Sequence, residues 1–281
     1  MLRIAEADSL EPLYHYQMGF HTPYFFSTDF SAWEKSFSED VDGQGRHLFK
    51  ELSVKAAYAE DTLVGFVQYG KTAFGFDDRG EISSDVSCCV IRNLYFDKSR
   101  PDAGSLLLEE ALNTFAETET VYAFFHYFGM SCFARHGKLF EAHSHIAALL
   151  KEKGFETEHE NVYYASALTG SEESAVKILP QSMTAADQQY MDFILSGKQV
   201  GGCEVHFVSR QVAYLRWIYV NGDLTGKGIG TACMHALRQW LSLKGIARLD
   251  TDTALLNLTA QHYYEKNGFI REGITRSFYR R

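Results

Sequence analysis

The chain has 281 residues, 46% hydrophobic and 22% charged, which suits two ordinary domains with real cores. A net charge of −9 argues against a non-specific nucleic-acid binder, because neutralising a phosphate backbone requires basic surface. The start, MLRIAEADSLEPL, lacks the basic and apolar runs of a signal peptide, and the longest uncharged apolar segment, 120–134, is too short to span a bilayer. The five cysteines, Cys88, Cys89, Cys132, Cys203 and Cys233, form no CxxC pair and fall in apolar stretches. That usage fits a reducing compartment, so a cytoplasmic protein with no membrane or nucleic-acid partner is expected.

In chain order, residues 8–37 read as two short helices joined by the aromatic-rich loop 20-FHTPYFFSTDFSAW-33. A hairpin follows, 53–60 with 62–70, then a strand over 85–96 and a helix over 105–117 with apolar residues at helical spacing. Next come a strand (121–128), an irregular stretch, a helix (145–153) and a strand (161–168). The polar stretch 169–183 reads as a linker. After it the order recurs: a helix near 184–195, strands near 200–208 and 212–220, a glycine turn and a helix over 229–244. A strand (247–253), a helix (258–267) and a last strand near 274–280 complete it. Alternating strands and helices predict an α/β or α+β architecture with mixed sheets.

The recurrence extends to residues. LYF-DKSRPDAGSLLLEEAL in the first half aligns with IYV-NGDLTGKGIGTACMHAL in the second, and 146-IAALLKEKGF-155 aligns with 260-AQHYYEKNGF-269. Two copies predict two similar domains, 1–168 and 184–281, joined by 169–183.

The turn 225-TGKGIG-230 matches neither the dinucleotide GxGxxG spacing nor a P-loop. Its glycines allow a tight turn with exposed N–H groups, and the following helix points its positive end at the same spot. It therefore reads as an anion site, with a ligand-free strand-to-helix turn as the alternative. The histidines of 126–145 match no zinc spacing, so no metal is expected. The aromatic loop 20–33 reads as core rather than a stacking site.

The glycine turn, followed about thirty residues later by 257-NLTAQHYYEKNGF-269, resembles the GNAT acyltransferase superfamily. The resemblance implies two tandem GNAT-like domains, each a mixed, mostly antiparallel sheet flanked by helices. It implies acetyl-CoA as co-substrate and a small-molecule or peptide amine as acceptor. Thr225, Gly226, Lys227, Gly228, Ile229, Gly230 and Thr231 would hold the pyrophosphate, Thr225 standing where the family writes Arg or Gln. Ile218, Tyr219 and Val220 would pair with pantetheine where strands 212–220 and 247–253 splay apart. Asn257 would contact its amides. Tyr264 would protonate the departing thiolate, with its neighbour Tyr263 expected to be the buried one. The strand 212–220 has no carboxylate where many relatives carry a glutamate base, leaving Glu204, His206, Asp250, Asp252 or water as candidates. In the first half, Arg100 fills the position of Thr225. However, Ala103 and Ser105 replace two glycines, His143 replaces Asn257 and Leu150 replaces Tyr264. That half is expected to be degenerate, lending a wall to the substrate pocket. Alternatives are a non-catalytic acyl-CoA-binding module or a transferase using another acyl donor.

Overall fold

A computed structural model describes residues 1–38, 45–76, 82–117, 119–133, 136–169, 173–181 and 187–281. It is a mixed α/β protein with two compact units. One comprises Met1–Glu160 with Ile274–Arg281, and the other comprises Asn161–Gly273.

The first unit opens with β1 (Leu2–Glu6), α1 (Glu11–Met18) and α2 (Phe30–Ser38). The hairpin β2 (Phe49–Ala59) and β3 (Thr62–Thr72) turns at Glu60 and Asp61, as the sequence predicts. A short pair, β4 (Gly75–Phe76) with β5 (Ile82–Ser83), leads to β6 (Cys89–Phe96) and α3 (Pro101–Leu112). This helix starts four residues before the expected 105, because Pro101 occupies its first turn, where a missing N–H costs nothing, and it ends at Leu112 rather than 117. β7 (Val121–Ala123) is shorter than the expected 121–128, since Phe124 turns to φ +52°. Then follow β8 (Leu139–Phe140), α4 (Ser144–Glu152) and β9 (Glu156–Ala167). The sheet order in this unit is β1-β2-β3-β6-β7, then the final strand β15 (Ile270–Arg280), then β9. Only β6 and β7 are parallel among its register-paired strands.

The second unit takes the C-terminal half of β9, then β10 (Lys177–Pro180), β11 (Gln188–Leu195), β12 (Lys198–Phe207) and β13 (Val212–Val220). α5 (Ile229–Leu243), β14 (Arg248–Ala254) and α6 (Leu258–Lys266) complete it. Its order is β9-β14-β13-β12-β11-β10, with β13 and β14 its parallel pair. The helix expected near 184–195 is a strand over its described part. Met191 and Phe193 are buried while Tyr190 is exposed, a two-residue period that no helix can satisfy. The expected linker contributes β10, paired to β11, while 170–172 and 182–186 lie outside the described residues. α5 and α6 pack Met234, Leu237, Leu241 and Tyr264 onto Cys203, Val205, Leu215 and Leu249 from the strands.

The repeat is visible as element order. β2-β3-β6-α3-β7-α4-β9 in the first copy matches β11-β12-β13-α5-β14-α6-β15 in the second. The last strand of each copy crosses a unit boundary. Asn161–Ala167 of β9 pair with β14, and Phe278–Arg280 of β15 pair with β7.

No helix among the described residues is long and apolar enough to cross a membrane.

Candidate functional site

β13 and β14 run in register from Val212↔Arg248 to Leu215↔Thr251, and there the pairing stops. β13 continues to Val220 on the side of β12, while β14 continues to Ala254 on the side of β9. The cause is local. Glu204 pairs with Trp217 and Val205 with Leu215, so Arg216 is an extra residue in β13. A bulge bends its strand and adds twist, which here carries β13 away from β14. The splay anticipated for 212–220 and 247–253 is present, and Ile218, Tyr219 and Val220 lie on its free arm.

The vertex of this fork is defined by side chains. The Thr251 hydroxyl donates to the Leu215 carbonyl oxygen at 2.9 Å, across the last rung. Tyr264 reaches the same point from α6, with its hydroxyl bonded to the Thr251 side chain. Burial raises the Tyr264 pKa, the Thr251 bond opposes this, and the Asp252 charge adds to it. Of the tyrosine pair, Tyr264 is the buried one (6% exposed) and Tyr263 is only partly buried, the reverse of the sequence expectation. The reason is the helix face: Tyr264 packs on Tyr164 and Phe269 in the core, whereas the Tyr263 hydroxyl donates to the Gly230 carbonyl oxygen at 2.8 Å.

The arm of β13 ends in a short 3-10 turn, Gly222–Leu224, and α5 begins. Thr225 closes this turn by donating its hydroxyl to the Gly222 carbonyl oxygen at 2.6 Å, so it supplies a turn contact of its own. Gly226 and Gly228 have φ of +75° and +78°, a region that side-chain-bearing residues rarely adopt. Nothing lies within 4 Å of where either would carry a Cβ. Lys227 between them is exposed. α5 has no acidic residue in its first turn and no side-chain cap, so its first N–H groups have no anion of their own. Gly230 has a different role: a Cβ there would sit 3.2 Å from the Tyr263 ring, so its absence lets α6 close on α5. Asn257 caps α6, its Oδ1 accepting from the Ala260 N–H at 3.2 Å, which leaves its amide NH2 exposed.

The four base candidates separate by geometry. Glu204 is buried, accepting from Trp217 Nε1 at 2.8 Å and from Arg216 Nη1 on both oxygens at 3.1 Å, and lying 2.6 Å from His206 Nε2. Burial raises its pKa, but the His206, Arg216 and Trp217 contacts outweigh that and hold it below the usual carboxylate value. Asp250 sits inside the closed part of the ladder and accepts from Tyr163 and from Arg248 Nε at 2.6 Å. Burial raises its pKa against the pull of Arg248. Asp252 lies one residue beyond the last rung, on the free arm of β14.

The equivalent place in the first unit is filled. β6 carries the same bulge, with Arg92 as the extra residue between the pairs Gln68↔Asn93 and Tyr69↔Ile91. Beyond the last β6–β7 rung, Ile91↔Ala123, the rings of Phe20, Tyr95, Phe124 and His143 pack together. Burial lowers the His143 pKa to about 4, with His145 adding to the shift and the Phe20 backbone opposing it. At the start of α3, Arg100 forks onto both oxygens of Asp102 at 3.0 and 2.9 Å. These bonds, with backbone N–H groups of Ala103 and Asp102, hold the Asp102 pKa down against desolvation. Ala103 and Leu150 are buried.

The described residues also bring His126, Glu158 and His159 together, with donor atoms within 4.8 Å of one another. His126 belongs to the histidine-bearing stretch 126–145, whereas Glu158 and His159 come from β9, so no sequence spacing joins them. Lys138 is also close enough to act on the Glu158 charge.

Residues 154–269 match the model of the acetyltransferase (GNAT) family. Three solved structures share the fold at low identity. A GCN5-related glucosamine N-acetyltransferase region of a fungal multi-domain GH3 β-N-acetylglucosaminidase aligns at TM-score 0.65 and 11% identity. The alignment covers 99% of this chain and only 38% of that one. A tandem GNAT protein from the clavulanic acid biosynthesis pathway aligns at TM-score 0.62 and 9% identity, covering 99% and 98%. A GNAT-family acetyltransferase from Colwellia psychrerythraea aligns at 0.54 and 13%, covering 99% and 98%. No curated protein matches the chain.

Proposed function

We propose that this chain, whose residues 154–269 form an acyltransferase domain of the GNAT family, is an acetyl-CoA-dependent N-acetyltransferase working from its second unit. The observation that carries the reading is the open fork of β13 and β14 beside an α5 N-terminus with no anion of its own. A pyrophosphate suits that terminus, held by backbone N–H groups from Gly226 to Thr231 and by the Lys227 ammonium. The turn closed by Thr225 supports this cradle. Pantetheine runs along the free arm at Ile218, Tyr219 and Val220, with the Asn257 amide on its carbonyls. A main-chain N–H of that arm polarises the thioester carbonyl.

The acceptor is a primary amine of a small molecule or peptide, attacking directly in a ternary complex. As the C–N bond forms and the C–S bond breaks, the amine gives up a proton and the thiolate gains one. Tyr264 is the donor to sulfur. A phenol, with its ordinary pKa near ~10, is protonated at neutral pH, whereas a thiol with a pKa near ~8.5 leaves as an anion. The base that accepts from the amine is Asp252, one residue beyond the last rung of the fork, or one of Glu204, His206, Asp250 or an ordered water. The first unit, with its rings and its Arg100–Asp102 pair, has a structural role.

A second reading, a non-catalytic acyl-CoA-binding module, draws on the lack of a carboxylate along β13. Incubation with acetyl-CoA and an amine panel, following free thiol, decides between them. Amine-dependent release that collapses in Tyr264→Phe supports the transferase. Tight CoA binding without turnover on any amine supports the binding module.

A further inference from the structure

We infer that Arg216 recognises an anionic group, a carboxylate or a phosphate, on the acyl acceptor, so that the substrate is an amine carrying its own negative charge. The inference rests on the second unit being a transferase, as proposed above.

The repeat supplies an internal control. Arg92 and Arg216 occupy the same bulge of equivalent strands, and they are used differently. Arg92 is 2% exposed and donates to four backbone carbonyls, of Ser36, Phe37, Phe128 and Gly129. Its fork is fully consumed in holding the chain together. The Arg216 side chain is 45% exposed, and among the described residues only its Nη1 is engaged, by the two oxygens of Glu204. Nε and Nη2 remain, the two donors that a planar anion can take side by side.

The support behind Arg216 is rigid. Glu204 is buried and is also bonded to Trp217, so the guanidinium is anchored from the protein side before a ligand arrives. Anchoring lowers the ordering cost of binding. Bulges commonly re-aim a side chain at an active site, and this one lies at the fork vertex. Arg216 is two residues from Ile218, roughly 7 Å along a strand. That span suits a compact acceptor whose amine and anion are a few bonds apart. The Trp217 and Tyr190 rings, 5.0 Å apart, and Tyr219 beside Trp217 offer an apolar wall for the remainder.

The test compares paired acceptors: amino acids against their amides, and amino-sugar phosphates against the unphosphorylated sugars. The wild type should favour the anionic member of one pair, which identifies carboxylate or phosphate as the source. In Arg216→Gln, KM for that acceptor should rise on the order of 10- to 100-fold, as expected when a bidentate charged contact is lost. The preference should vanish, the KM for acetyl-CoA should stay unchanged, and Arg216→Lys should restore part of the effect. The double variant Glu204→Gln/Arg216→Gln removes the buried charge left behind and should show the same loss of preference. The inference is overturned if the preference survives in Arg216→Gln. It is equally overturned if both variants lose activity alike on both members of a pair, or if the KM for acetyl-CoA rises instead. Turnover with no anion preference in the wild type overturns this inference alone. Absence of acetyl-CoA binding by calorimetry overturns the transferase reading with it.

Discussion

α3 begins at Pro101 and α5 at Ile229, close to one another in the repeated sequence, yet their N-termini have opposite character. α5 opens after two left-handed glycines with clear space around them and no carboxylate in its first turn. α3 opens with Asp102, whose carboxylate already takes the first N–H groups and is clamped by Arg100. A helix N-terminus attracts one anion, and the first unit provides its own. The forks differ in the same way, one lined by packed rings and the other free beyond Thr251. The two copies therefore share a backbone plan and differ in the side chains at this point.

The comparison can be broken most severely at Arg92. Replacing it with methionine strands four backbone carbonyls, two of them in buried bonds, and a cost of about 3–5 kcal/mol is expected for breaking such a network. Urea unfolding should report it, and a loss below about 1 kcal/mol would mean the bulge arginine is dispensable. Next comes Tyr264→Phe, for which kcat should fall at least about 100-fold with acetyl-CoA affinity unchanged, the usual scale for a lost general acid. Single-turnover kinetics checks this, and an intact rate would remove Tyr264 from the mechanism.

A transplant of the first unit's acidic residue, Lys227→Asp, should weaken acetyl-CoA binding about 10- to 100-fold by calorimetry, through a lost cation and an added carboxylate at the helix end. Unchanged affinity would place the donor elsewhere. The smallest effect is at Glu204. Its folded pKa lies below the unfolded value of about 4.3, so it stabilises the fold at neutral pH. That contribution is lost as the pH falls through the folded pKa. The difference in Tm between wild type and Glu204→Gln should shrink between pH 6 and pH 3, and a constant difference would contradict the assignment.

Much of this was legible because it is written in local signals. The glycine turn, the run NLTAQHYYEKNGF and the echo of IAALLKEKGF marked α5, α6 and α4 and the copy with an open turn. What stayed hidden depends on tertiary pairing. The sequence of β11, QQYMDFIL, predicts a helix through its Gln, Met and Leu residues, and its two-residue burial exists only once β10 and β12 flank it. The Arg216 bulge exists only as a mismatch between two strands. Ala103 and Ser105 suggested a blocked site through their Cβ atoms, but the sequence could not show the Asp102 carboxylate clamped by Arg100 at the start of α3. The partial burial of Tyr263 followed from its bond to Gly230, a partner 33 residues away.

The exchange of final strands bears on how the molecule is made. The first unit includes Ile274–Arg281, which leave the ribosome after all of Asn161–Gly273. Its β7 must therefore wait for Phe278–Arg280 while the second unit is already being synthesised. Such pairing across more than a hundred residues is slow, because loop closure precedes any gain from contact. The N-terminal unit thus finishes last, an inversion of the vectorial order usual in tandem proteins, and a cut between the two copies would leave each without a strand.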